Sequence, residues 1–159
     1  MSNADQREIL LVLHPTRPEA KAEAIRIVDS LQKSDFNFFS VTETGLAGVT
    51  TIDSATLSKH IPSIELALVL GGDGTILRGA EQIHGGSIPV LGINLGHVGF
   101  LAQIGRPSTD SIVSAIRDKN YSVEKRMTLA YQVQRKDQIV AHGWALNEIT
   151  VERLSLIHI

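Results

Sequence analysis

The stretch that most constrains this chain is a nearly continuous apolar run, Ile64 to Leu70 (IELALVL), that passes without a spacer into Gly71-Gly72-Asp73-Gly74-Thr75. An unbroken apolar run of this length reads as a strand buried on both faces, as in a parallel sheet. Thr75 to His84 is helix-compatible and Gly85-Gly86 ends it; Ile88 to Ile93 then reads as another buried strand. Ten of the 13 glycines lie between Gly71 and Gly105, so tight turns or close backbone approaches are concentrated in this one segment.

The flanks extend the same pattern. Glu8 to His14 suits a buried strand and runs into His14-Pro15-Thr16-Arg17-Pro18, where two prolines stop a ladder. Pro18 fits a first helical turn, and Ala24, Val28 and Leu31 form an apolar stripe that Ile25 and Ile27 widen. Asn37 to Thr42 reads as a second strand. Glu43 to His60 reads mostly as loop, with a short helix near Ser54 to His60. Ser108 to Asp118 is amphipathic and opens on a capping-type residue. The expectation is an α/β domain over residues 1–120, three-layered, with a mostly parallel sheet.

After Asn120 the texture changes. Tyr121 to Arg126, Met127 to Gln134 and Gln138 to Val151 read as strands joined by polar turns such as Arg135-Lys136-Asp137. Residues 121–153 are therefore expected to begin an antiparallel, β-rich segment. The last six residues, 154–159, resemble one reading frame of a transposon adapter used in sequencing libraries and are set aside as a non-native tail.

Composition narrows the partners. Fifteen basic residues against 17 acidic ones give a net charge of -2, which supplies no global field for nucleic acid or an anionic membrane. Ile9 to Leu13, the most apolar early run, is too short for a span and lacks a cleavage site. The absence of cysteine removes disulfides, thiolate nucleophiles and Cys-ligated zinc, and suits a cytoplasmic protein. The histidines, His14, His60, His84, His97 and His142 among them, lack metal-site spacing, and no protein metal ligand is expected.

The chemistry therefore concentrates at Gly71 to Thr75. A glycine-rich turn between a buried strand and a helix presents backbone N–H groups and a helix N-terminus at the carboxyl edge of the sheet, a cradle for phosphate. Gly71, Gly72 and Gly74 would give the backbone unusual dihedrals and close approach, and Thr75 would cap the helix. Asp73 projects a carboxylate into the same crevice. An anion there makes sense if it binds a metal, binds a hydroxyl or accepts a proton; equally, Asp73 could only form an Asx-turn. No Gly-Lys-Ser or Gly-Lys-Thr occurs, and Leu77 stands where a dinucleotide fingerprint needs its third glycine.

Three segments in order, LVLGGDGTILRGA, PVLGINLGHVGFLA and ALNEITVER, resemble the successive signatures of the NAD kinase family, the ATP-dependent NAD 2′-phosphotransferases. The resemblance covers roughly residues 8 to 153. It implies that Asp73 is the general base toward the adenosine ribose 2′-hydroxyl of NAD, with Gly74 beside it and Arg78 contacting the dinucleotide. It also implies that Asn147 and Glu148 hydrogen-bond NAD. Gly71, Gly72, Gly74 and Thr75 would form the phosphate loop; Asn94, Gly96, Gly99 and Phe100 would form a second loop, supporting the site or serving packing alone. The implied substrates are NAD and ATP, with inorganic polyphosphate as a possible donor, and the implied cofactor is a divalent cation, Mg²⁺, held largely by ATP. Because later family motifs have no counterpart in this chain, the resemblance implies that residues 121–153 are the first strands of a truncated β-rich, β-sandwich C-terminal domain and that the chain alone has little activity; it implies a homo-oligomer for the full-length protein. The rival readings are a lipid kinase of the diacylglycerol-kinase type and a non-catalytic nucleotide-binding domain.

Overall fold

The computed structural model describes residues 6–95, 107–146 and 148–150. The chain divides into two compact units, Met1–Ser122 and Val123–Ile159.

The first unit is an α/β layer structure. Its strands are β1 (Arg7–Leu13), β2 (Phe36–Ser40), β3 (Val49–Thr51), β4 (Ile64–Leu70) and β5 (Val90–Ile93). Its helices are α1 (Pro18–Gln32), α2 (Ser54–His60), α3 (Asp73–Gln82) and α4 (Thr109–Arg117). The strands form one sheet in the order β3-β2-β1-β4-β5, and every pairing is parallel.

Alternation along the central strands sorts side chains between two cores, as a period of two requires. Ile9, Leu11, Leu66, Leu68 and Leu70 point to one face, where α1 brings Ala24, Ile27, Val28 and Leu31 and α4 brings Ile112, Val113 and Ile116. Leu10, Val12, Ala67 and Val69 point to the other, where they meet Leu57 of α2 and Ile76 of α3. Burial of each large side chain contributes about 1.5–3 kcal/mol, so the two central strands anchor the unit.

Helix ends follow local chemistry. Pro18 opens α1 at a position whose N–H would have no helical partner. Asp53 caps α2 by accepting from the Thr56 N–H at 2.7 Å, and Ser108 caps α4 by accepting from the Ser111 N–H at 3.2 Å. In α1, Ile27 joins the buried stripe, whereas Ile25, expected to widen it, is exposed because it lies around the helix from the sheet.

Two other departures have simple causes. Val49–Thr51, expected as loop, adds an edge strand by pairing with Phe38 to Ser40; its β-branched residues carried that signal. The strand expected over Ile88 to Ile93 is shorter and only partly buried, since β5 is the outer strand beyond β4 among the described residues.

At the amino edge of the sheet, Arg7 joins several elements. Its guanidinium is ion-paired to Glu65 and donates to the Ile116 and Arg117 carbonyls at the end of α4, each at 2.7 Å. Tyr121 Oη donates to Glu65 at 3.2 Å, and Lys119 Nζ lies 3.8 Å from the same carboxylate. Burial alone would push the Glu65 carboxyl up, but the bonds from Arg7, reinforced by the Arg7 and Lys119 charges, hold it below the ordinary carboxylate range.

The second unit contains an antiparallel hairpin, β6 (Leu129–Arg135) and β7 (Gln138–Ala145), turning at Lys136-Asp137 with Lys136 in the left-handed conformation at φ 55°. The strand expected over Tyr121 to Arg126 is absent: those residues are exposed and irregular, and Tyr121 is tied to Glu65 instead of a ladder. The last expected strand ends at Ala145, and Val151 lies outside the described residues. Leu129, Val133, Ile139 and Val140 of the hairpin are exposed, because two strands alone cannot bury a face.

Candidate active site

Strand order fixes where a ligand crevice can form. From β1 the chain builds outward through β2 and β3, then returns to place β4 on the other side of β1. The loops leaving the carboxyl ends of β1 and β4 therefore diverge to opposite faces, and such a switch point opens a crevice. The glycine-rich turn leaves from β4 at this point. The His14 N–H donates to the Leu70 carbonyl at 2.9 Å, and the Gly71 N–H donates to the Ile93 carbonyl at 3.1 Å. The ends of β1, β4 and β5 are thus stitched together around Gly71.

Beyond Gly71 the chain turns immediately into α3. The Gly72 carbonyl accepts from the Thr75 N–H at 2.9 Å and the Ile76 N–H at 3.1 Å, which makes Gly72 the helix cap. The helix starts two residues before the expected Thr75, so Asp73 sits in its first turn. A carboxylate there is stabilised by the helix dipole, typically by about 0.3–1 kcal/mol. Thr75 does not cap: its side chain is buried, 4% exposed, beneath the turn.

The glycines of the turn do different work. A Cβ on Gly71 would lie 2.4 Å from Thr75 Oγ1, so the close approach at Gly71 is to the protein's own helix. A Cβ on Gly72 or Gly74 would meet nothing within 4 Å, and neither residue has a positive φ. The expected unusual dihedrals are therefore not found; the backbone at Gly72 and Gly74 is bare and faces open space. Glycine also seats α3. A Cβ on Gly79 would lie 2.7 Å from Val69 Cγ2, and one on Gly92 would lie 2.7 Å from Ile76 Cδ1. Two missing side chains let the helix lie close on β4 and β5, which holds its first turn, and Asp73, at the sheet edge.

Asp73 is half-buried, Gly74 is exposed, and Asn94, 7% exposed, follows directly on β5 at the same edge. The structure thus gathers Gly71, Gly72, Asp73, Gly74, Thr75 and Asn94. Arg78 is exposed further along α3. Glu148 is exposed in the second unit; Asn147, Gly96, Gly99 and Phe100 lie outside the described residues. A cavity of about 280 Å³ lies between the first turns of α1, at Glu19, Glu23 and Arg26, and Ile93, Leu95 and Pro107; it contains none of the expected phosphate-loop residues.

One part of this edge is invisible to motif reading. His14 to Arg17 follow β1 and stand at the switch point, but only the strand order brings β1 beside β4. Among the described residues, no helix is long and apolar enough to cross a membrane.

Comparison with known proteins agrees with this arrangement. The model of the ATP-NAD kinase N-terminal domain matches residues 9–121. The chain is 39% identical to NAD kinase 2 of Streptomyces avermitilis over 98% of its own length and 53% of that protein's. It is 40% identical to the NAD kinase of Leifsonia xyli subsp. xyli over 94% of its length and 51% of that protein's. It spans about half the length of the curated relatives it matches. A crystal structure of yeast NADH kinase complexed with NADH shares the fold, with a TM-score of 0.71 at 16% identity over 89% of this chain and 47% of that one. With the family model covering the parallel sheet from Ile9 onward and the turn that carries Asp73, this chain belongs to the ATP-NAD kinase family.

Proposed function

We propose that a full-length protein containing this chain transfers the γ-phosphate of ATP to the 2′-hydroxyl of the adenosine ribose of NAD, giving NADP. The observation that carries this reading is the bare backbone of Gly72 and Gly74 around Asp73 at the switch point, in a chain of this family. Asp73 orients the ribose hydroxyl and accepts its proton. A carboxylate is too weak a base to deprotonate an alcohol beforehand, so the proton moves late, as the oxygen attacks phosphorus. Phosphoryl transfer depends mainly on positioning and charge stabilisation, and the turn's backbone N–H groups supply both.

Among the described residues no group of three His, Asp or Glu side chains could hold a metal ion. That donor set suits a Mg²⁺ that would be held largely by the phosphate oxygens of ATP and by water. When bound, that ion would neutralise phosphate charge.

Asn147 and Glu148 hydrogen-bond NAD, and Arg78 contacts the dinucleotide. Asn94, with Gly96, Gly99 and Phe100, supports the crevice. The 159-residue chain alone makes little NADP, since the relatives are about twice its length, and the full-length protein is a cytoplasmic homo-oligomer. Assaying the full-length protein with ATP and either NAD or diacylglycerol tests the reading. NADP formation without lipid phosphorylation is expected; phosphorylated lipid, or binding of nucleotide without turnover, would overturn it.

A further inference from the structure

The residues that follow β1 share the crevice edge with the glycine turn, and no role yet given accounts for them. His14 is half-buried and pairs through its backbone with Leu70, so it stands opposite Gly71 across the switch point. The Thr16 N–H donates to His14 Nδ1 at 3.3 Å. That bond makes Nδ1 the acceptor and leaves the ring proton on Nε2, so the imidazole presents a fixed N–H donor.

Arg17, three residues on, adds a cation at the same edge. Arg7, Arg26, Arg117 and Arg126 are each ion-paired with a carboxylate. Arg17 is half-buried, yet among the described residues its guanidinium has neither an ion pair nor a hydrogen-bond partner. A guanidinium with no protein carboxylate beside it is open to a ligand anion, which its planar fork can grip through charge-assisted bonds.

We propose that His14 and Arg17 form a second phosphate contact across the crevice from Gly71 to Gly74, gripping the polyphosphate chain of the phosphoryl donor. The glycine turn contacts the chain from the β4 side through backbone N–H groups; His14 Nε2–H and the Arg17 fork contact it from the β1 side. This rests on the reading of the turn as a phosphate site. The ligand chemistry is a linear chain of phosphates, whether borne by a nucleoside or inorganic.

The test uses the 159-residue chain labelled with ¹⁵N at histidine and glycine, titrated with MgATP and separately with magnesium tripolyphosphate. With both probes the His14 ring signals should move together with the Gly72 and Gly74 amides. His60, which bonds Glu8 at the opposite edge of the sheet, should stay fixed. H14Q and R17Q should each weaken binding of both probes about tenfold while thermal unfolding stays within a degree or two of the parent, and R17K should recover part of the loss. If the glycine amides move while His14 stays fixed, or if H14Q and R17Q bind as the parent does, the proposal fails and the phosphate turn stands. A response of His14 to MgATP but not to tripolyphosphate would assign the contact to the nucleoside and overturn the phosphate grip. Silence of both glycines and His14 at millimolar probe would overturn the proposal and the turn's assignment together.

Discussion

Gly71 and Thr75 are packed so closely that residue 71 has no room for a side chain: a Cβ there would lie 2.4 Å from Thr75 Oγ1 and 2.7 Å from Thr75 Cβ. Gly71 is needed for the fold, whereas Gly72, one residue later, borders open space. G71A should therefore lower stability by about 1–3 kcal/mol, the usual cost of overpacking, while G72A should change it by less than about 1 kcal/mol. Urea unfolding of both variants checks this. Adding T75A to G71A should restore only part of the loss, because the contact with the Cβ of residue 75 remains. Equal midpoints for G71A and G72A would contradict the division of labour between the two glycines.

Gly79 provides a test in which two effects oppose. Alanine in place of a mid-helix glycine gains about 0.8–1 kcal/mol in helix propensity, but a Cβ at residue 79 would press to 2.7 Å from Val69 Cγ2. Val69 is β-branched, fully buried and stiff, so the overlap should win and G79A should destabilise the α/β unit. In a V69A background the obstruction is gone and the same substitution should become stabilising. A double-mutant cycle by chemical denaturation reads the change of sign directly.

The strands and their order differ in how far the sequence exposes them. Ile64–Leu70 is legible because burial on both faces demands an unbroken apolar run, and α1 because Pro18 and its apolar spacing agree. The family resemblance, too, is legible from the motifs, and the family match agrees with it. The start of α3 at Asp73 is obscured because glycine at the cap has no side-chain signal, which is why Thr75 looks like the better cap. The different duties of Gly71 and Gly72 are set by what packs above each, and identical residues cannot reveal that. The β3-β2-β1-β4-β5 order is likewise unwritten in any local pattern; it alone brings His14 beside Gly71.

The Arg7–Glu65 pair makes stability depend on acid. The Glu65 carboxyl is held below its ordinary range in the folded protein, so the unfolded chain binds the proton more tightly. The pair's contribution is fully present above the unfolded carboxyl's pKa and is lost as pH falls through the lowered folded value. Denaturation midpoints measured from neutral pH down through the carboxylate range should fall more steeply for the parent than for E65Q. E65Q should also be the less stable at neutral pH, since it leaves Arg7 without its charge partner. Parallel pH profiles would show that the pair contributes nothing.

The central claim is that Asp73, held at the first turn of α3, handles the proton of the attacking ribose hydroxyl, and D73N in the full-length protein tests it most directly. The substitution keeps the shape of the side chain and removes its basicity. The initial rate of NADP formation at saturating NAD and ATP should fall about 10²- to 10⁴-fold, with the unfolding midpoint and the KM for ATP close to those of the parent. Turnover within a few-fold of the parent would contradict the assignment of Asp73 as the base.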